Sequence, residues 1–387
     1  MVRKIARGVL TVASSLATCC VLLVLLGLLT WLGTLEQTRT GLFEVQRKYF
    51  ESFILFHDFG RFSIPLPGAN LVMCLLAVNL AVGGFVRIRK SWATAGVIVT
   101  HVGIAMLLMS ALVKHNWSSD GHVTLYEGQS ADHFESYFRW ELAVIEQLDG
   151  GRVREHLVPH ERIEEAQRIP VSLNAADIPF TVQIESVSKN CRPERAQSTS
   201  AHGPVVIDGV KLVPREVDAR AEANIAGACV SIFDEQTGTR RRALLWGAEA
   251  QPFTFVAAGK AWAVSLRKER YAMPFAIQLA RFNKTEHPGT NMPRSFESEV
   301  QVASGSSSRD VKISMNEPLR DGGLVLYQAS WGPSNARPGD RLFSTFAVVR
   351  NPADQWPLAA CLVIAAGLLF HFVRKLTRYV KLEMRAA

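Results

Sequence analysis

The stretch VIVTHVGIAML, residues 97–107, decides how this chain is read. It lies inside an apolar run from about Trp92 to Val113 that contains no Asp, Glu, Lys or Arg. A helix takes roughly 20 residues to cross the hydrocarbon core of a bilayer, so the run is long enough to span one. His101 stands about nine residues into it, which on this reading is near mid-depth. Ionisable groups there are costly and usually functional, so the imidazole needs a reason.

Working outward, three more apolar runs cover about Val9 to Leu32, Leu66 to Val86 and Trp356 to Val373. The first follows Arg3, Lys4 and Arg7, as a signal peptide would. Its apolar stretch exceeds a signal h-region and no A-x-A site follows, so it reads as a retained transmembrane helix. Further basic clusters flank the other runs: Arg87, Arg89 and Lys90, then Arg374, Lys375, Arg378, Lys381 and Arg385. The positive-inside rule places the N-terminus, the 87–91 loop and the C-terminus in the cytoplasm, and four spans make that arrangement self-consistent. Residues 34–65 and 114–355 then lie outside. Trp92, Trp117 and Trp356 fall near span ends, where indole rings favour the interface. The net charge of +8 is concentrated in these juxtamembrane clusters. A basic face on a soluble fold is missing, which argues against nucleic acid as a partner.

The segment 114–355 reads mostly as β-structure. FTVQIESVS, EVQVASGSSSRDVKISM and GLVLYQASW alternate apolar and polar residues with period two, and SGSSS has the composition of a hairpin loop. RPERAQSTSAHGP is a breaker-rich surface segment. HERIEEAQRIP predicts a short helix ending before Pro170. The expected fold class is a membrane protein of four transmembrane α-helices with a large β-rich extracytoplasmic domain between helices 3 and 4. Residues 1–113 form the N-terminal membrane region, 114–355 an outer domain of sandwich or paired-sheet type, and 356–387 the closing helix and basic tail.

Of six cysteines, Cys19, Cys20, Cys74 and Cys361 lie in spans and Cys191 and Cys229 outside. The outer pair is compatible with one disulfide or with two free thiols. There is no C-x-x-C, H-E-x-x-H, G-x-S-x-G, P-loop or dinucleotide fingerprint, so the residues suggest no self-contained enzyme. His156 and His160 are four apart and share a face only if that stretch is helical. On a helical wheel Gly96, Thr100 and Gly103 fall within about 60° of one another, a small-residue face suited to close helix packing, with His101 roughly 100° or more away. Two readings of His101 stand: a haem axial ligand or proton carrier, or a packed histidine bonded to a neighbouring helix. His371 lies near the cytoplasmic end of the last span, where an interfacial histidine needs no special role. Asn79 suits an interhelical hydrogen bond. His57 falls in the outer loop just before the second span, in reach of a surface ligand or simply beside Asp58.

Several stretches, in order, resemble the ResB family, also called CcsB, of System II cytochrome c biogenesis. WLGTLEQ (31–37) resembles its G-T-x-x-Q segment, NLAVGGFVRI (79–88) the end of its second helix and THVGIAMLLMSAL (100–112) its third. HPGTNMPRSFESEVQV (287–302), KISMNEPLRDGGLVLYQASW (312–331) and FAVVRNPADQWPLAACLVIAAGLLFHF (346–372) resemble its C-terminal block, whereas about 140–260 is similar only loosely. The resemblance implies a subunit in a bacterial cytoplasmic membrane. Such a subunit pairs with a CcsA or ResC-type partner as a cytochrome c synthase, moving haem b outward for covalent attachment to apocytochrome c. The eight tryptophans here are scattered, so the tryptophan-rich haem-presenting segment belongs to the partner, and any lyase activity to the complex. The family's intramembrane histidine corresponds to His101, as iron ligand to haem in transit, with His371 a weaker second. A haem-free assembly scaffold of the same machinery and an unrelated membrane-anchored binding module remain the alternatives.

Overall fold

A computed structural model describes residues 8, 10–58, 60, 62–175, 177–196, 205–290, 293–305, 307–333, 335–337 and 339–386. The cluster Arg3, Lys4 and Arg7, His202 and much of RPERAQSTSAHGP lie outside the described residues. The chain divides into two compact units, Met1–Ser118 with Asn351–Ala387, and Ser119–Arg350.

The first unit holds four helices long and apolar enough to cross a membrane. These are α1 (Leu16–Thr40), α2 (Ala69–Asn79, continued by a π-helix over Leu80–Val86), α3 (Ala95–Trp117) and α4 (Trp356–Ala386). Their ends differ from the apolar runs for local reasons. The first run is broken at Ser14–Ser15. Ser14 Oγ bonds back to Leu10 O at 2.8 Å, and Ser15 caps α1 by accepting from Thr18 N at 3.0 Å. Past Leu32 the helix continues to Thr40, where Gly41, at φ 85°, ends it with its N–H on Gln37 O. The start of α2 is delayed because Ser63–Pro67 pairs with Ile54–Asp58 in a hairpin. At the other end, α4 runs on through a tail free of Gly and Pro, giving 31 residues or about 46 Å.

The small-residue face of α3 is used as its wheel suggests. A Cβ on Gly96 would lie 2.7 Å from Gly367 O, one on Gly103 2.5 Å from Ile364 Cγ1, and one on Gly367 2.6 Å from Thr100 N. The backbones of α3 and α4 therefore touch, which only glycine permits. Leu22, Leu29 and Leu32 of α1 and Val72 of α2 form a second helix contact with Tyr49 and Leu55.

The strands described in the second unit all pair antiparallel. Its main sheet has the order β11-β10-β9-β2-β1-β14-β13-β12. In chain order these are β1 (Ser119–Tyr126), β2 (Ser130–Gln147), β9 (Lys260–Glu286), β10 (Pro293–Ser304), β11 (Ser307–Ser314), β12 (Leu319–Asp321), β13 (Leu324–Gly332) and β14 (Phe343–Arg350). Two more strands extend it, β3 (Val153–Val158) on β2 and β8 (Phe253–Ala257) on β9. A second sheet has the order β7-β6-β5-β4, from β4 (Val171–Leu173), β5 (Phe180–Ser188), β6 (Gly227–Asp234) and β7 (Arg240–Trp246).

Strands β2 and β9 each serve two cores. Trp140, Leu142 and Val144 with Trp262, Val264 and Leu266 pack on Phe180, Val182, Val230 and Ile232 of the second sheet. Further along, Phe134 with Ile277 and Leu279 packs on Val300, Leu326 and Phe346. The change between them falls where register shifts between Lys268 and Arg270 and between Ala272 and Ile277, around Pro274. Bulges and proline are what let one strand bend from one core to the next. The predicted helix is real but short, His160–Glu165, and β10 and β11 pair antiparallel as far as Ser304 with Ser307.

Candidate functional site

His101 is the seventh residue of α3, which begins at Ala95 and continues past Val113 to Trp117. Its half-buried ring points at the π-helical end of α2, not at α4. A Cβ on Gly84 would lie 2.6 Å from His101 Cδ2, and Phe85 meets the imidazole edge-on at 6.4 Å between centroids. The π turn widens the helix where Gly84 must lie flat against the ring, and such turns recur at functional sites.

Within α3, His101 Nδ1 lies 2.7 Å from Val97 O. A carbonyl can only accept, so Nδ1 carries the proton and donates. Nε2 is left with its lone pair, and no hydrogen bond to it is found among the described residues. Tying one ring nitrogen so that the other faces a metal is the usual way an axial histidine is oriented. The residues against the ring are the apolar Gly84 and Phe85. A neutral imidazole nitrogen is a donor of the kind haem iron takes.

His371 does not share this face. Its backbone N and Cβ lie 2.8 and 2.9 Å from where a Gly96 Cβ would stand, about 140° around α3 from His101, and its ring meets Phe372. Asn79 serves a helix contact: its Nδ2 donates to Ala13 O at 2.8 Å and to Ser15 O at 3.1 Å, at the break before α1. Arg87 Nη1 donates to Ser14 Oγ at the same break.

Sequence reasoning missed a polar cluster at the far end of α1. Glu36 Oε2 accepts from Tyr49 Oη at 2.6 Å, Glu36 Oε1 meets Lys48 Nζ at 2.7 Å, and Tyr49 Oη contacts His57 Nδ1. Tyr49 is fully buried, and burial with the adjacent carboxylate pushes its phenol well above the ordinary range. The signal available was Glu36, a lone acid following an apolar run. The cluster clips α1 to the loop before α2.

In the β unit, Cys191 and Cys229 are free, buried thiols, each pushed up to about 11 by burial. His156 lies on β3 and His160 begins the short helix, so the two share no helical face. No group of three or more His, Cys, Asp or Glu is placed to hold a metal among the described residues. Gln328, in the YQ segment, ties three strands together. Ser298 Oγ donates to its Oε1 at 2.6 Å, and its Nε2 donates to Ser344 Oγ at 2.8 Å, with both serines fully buried. Lys268 Nζ donates to Tyr137 O at 2.7 Å and lies 4.1 Å over the Trp140 ring. Burial pushes it down to about 8.

Residues 245–339 match the model of the ResB-like family. The match covers about a quarter of the chain, lies wholly within the β unit, and includes the 287–302 and 312–331 segments and Gln328. No curated protein matches the chain.

Proposed function

We propose that this chain is the ResB-type subunit of System II cytochrome c biogenesis in a bacterial cytoplasmic membrane. On this reading it hands haem across the bilayer through His101 and works with a CcsA or ResC-type partner that attaches it to apocytochrome c. The ResB-like match supports a place in cytochrome c biogenesis. The observation that carries the haem role is the His101 ring, with Nδ1 tied to Val97, Nε2 without a hydrogen bond among the described residues, and a glycine of a π-helical turn against its face. Haem is the cargo here. Its iron supplies the axial position, and the chain supplies one oriented nitrogen in an apolar wall.

The same reading sets the topology. Arg87, Arg89 and Lys90, and the basic tail of α4, are cytoplasmic, so the β unit and the loop with Tyr49 and His57 are outside. A reporter active only outside the cytoplasm works after Ser200 and is silent after Ala387. The reverse pattern inverts the scheme. The functional test is expression in a host without its own cytochrome c machinery. With a CcsA-type subunit the native chain yields covalent c-type cytochrome, and alone it yields none. His101→Gln abolishes the product while protein level is kept, and His371→Gln has much less effect. Full activity of His101→Gln removes the haem role.

A further inference from the structure

We propose that the hairpin of Ile54–Asp58 and Ser63–Pro67 is a lipid-binding element, whose outer face lies against acyl chains in the bilayer leaflet at the Thr40 end of α1. The inference rests on α1 crossing the membrane and is independent of the haem reading of His101.

The hairpin is apolar on both faces. Its register pairs Leu55 with Leu66 on one face, and Ile54 with Pro67 and Phe56 with Pro65 on the other. The first face is covered, because Leu55 is buried in a cluster with Leu29, Leu32, Val45, Tyr49 and Val72. The second is open. Ile54 and Phe56 are each 63% exposed, and Phe53 beside them is 57% exposed. A hairpin with one face in water carries polar residues on that face. Here they gather at the turn instead, where Asp58 Oδ1 accepts from Gly60 N at 2.7 Å.

The level of the hairpin along α1 identifies what covers the open face. Tyr49 and Leu55 pack with Leu29 and Leu32, which lie inside the charge-free run that ends at Leu35. A Cβ on Gly33 would stand 3.2 Å from Val45 Cγ1 and 3.7 Å from Tyr49 Cγ. The segment 42–67 therefore folds back beside the apolar part of α1. Leu29 precedes Glu36, the first charge, by about 10 Å of helix, more than the roughly 5–8 Å depth of one headgroup layer. The hairpin thus reaches the edge of the hydrocarbon, at a level where Trp31 and Leu35 of α1 are also exposed.

Two further features suit that setting. Backbone donors near acyl chains need partners, and proline fits a strand only where its nitrogen points away from the ladder. Pro65 and Pro67 therefore remove two donors from the outer edge. The hairpin is also fixed in place: Gly68 N donates to Phe53 O at 2.8 Å, and Tyr49 Oη joins His57 Nδ1 to Glu36. The open face cannot swing to water without breaking this clip.

The test uses the full chain in phosphatidylcholine vesicles, with its native cysteines replaced by alanine and a circular dichroism spectrum matching the native chain. One nitroxide-labelled cysteine is introduced at a time. Collisions with oxygen, which concentrates among acyl chains, and with a water-soluble nickel chelate are read by electron paramagnetic resonance. Ile54→Cys and Phe56→Cys are the test positions, and both are exposed, so the label displaces no packed side chain. Leu28→Cys, exposed on α1, is the lipid reference, and Val153→Cys, exposed on the β unit, is the water reference. Positions 54 and 56 respond to oxygen and are shielded from the chelate, as position 28 is, whereas position 153 shows the reverse. Chelate contact at 54 and 56 like that at 153 places the face in water and overturns the inference. Shielding from both reagents means that protein covers the face, from the same chain or a second copy, and overturns it equally. Chelate contact at position 28 removes the span on which the inference rests.

Discussion

Gly84→Ala tests whether the His101 ring must sit where it does. The added methyl would stand 2.6 Å from Cδ2 and 3.2 Å from Cγ of the imidazole, and 3.3 Å from Leu80 Cδ1. Relaxed carbon contacts lie at about 3.5–4.0 Å, so the ring has to retreat by roughly 1 Å or the π turn has to shift. The 2.7 Å bond from Nδ1 to Val97 O resists the first, and the neighbouring contact of Gly83 with Ser14 resists the second. Overpacking of this kind costs about 1–3 kcal/mol, which converts to a loss of roughly 5- to 140-fold in haem affinity if all of it falls on the bound geometry. The assay is a Soret titration of the purified chain. Gly27→Ala is the control: a Cβ there meets nothing within 4 Å, so that change is neutral or slightly stabilising through helix propensity. If Gly84→Ala binds haem with native affinity and spectrum, the glycine contact does not position the ligand and this reasoning is wrong.

Gln328→Leu leaves the buried Ser298 and Ser344 hydroxyls without the amide that joins them. It costs about 1–3 kcal/mol, and in a unit of this size lowers Tm by roughly 2–12 °C. An unchanged melting curve for the full chain contradicts this. Lys268 titrates at about 8 when folded against 10.5 in the unfolded chain. Between those values the unfolded chain binds more protons, so its contribution to stability rises from pH 8 to pH 10.5. Urea midpoints across that range climb less steeply in Lys268→Met, and parallel curves contradict the assignment. Cys191 and Cys229, buried and held near 11, resist maleimide at pH 7 in the folded chain and react once it is denatured. Labelling of either in the native state counts against the packing described.

The four helices were legible because an apolar run free of charges has few other places to go, and the β-rich unit because its strands alternate with period two. The wheel on α3 also held: Gly96 and Gly103 meet α4, and His101 points elsewhere. What could not be read was anything set by a neighbour distant in sequence. The break at Ser14–Ser15 carries no proline and is stabilised by Asn79, sixty-four residues beyond Ser15. The π-helical turn of α2 exists where two helices press on consecutive glycines, and no local pattern encodes that. Glu36, Tyr49 and His57 come together only when the loop folds back on α1. The sharing of β2 and β9 between two cores needed the register of both strands, which pattern alone leaves open. His101 stood out by its chemistry, whereas the helix around it begins at Ala95, inside the apolar run, and ends at Trp117, beyond it.

The most direct measurement is the absorbance spectrum of the detergent-purified chain carrying His101→Gly, with and without added imidazole, beside the native protein. The account predicts a Soret band of histidine-ligated haem in the native chain, its loss in the variant because the iron lacks its axial nitrogen, and its return when imidazole fills the vacated space against Gly84. A variant that retains the native band without imidazole contradicts it.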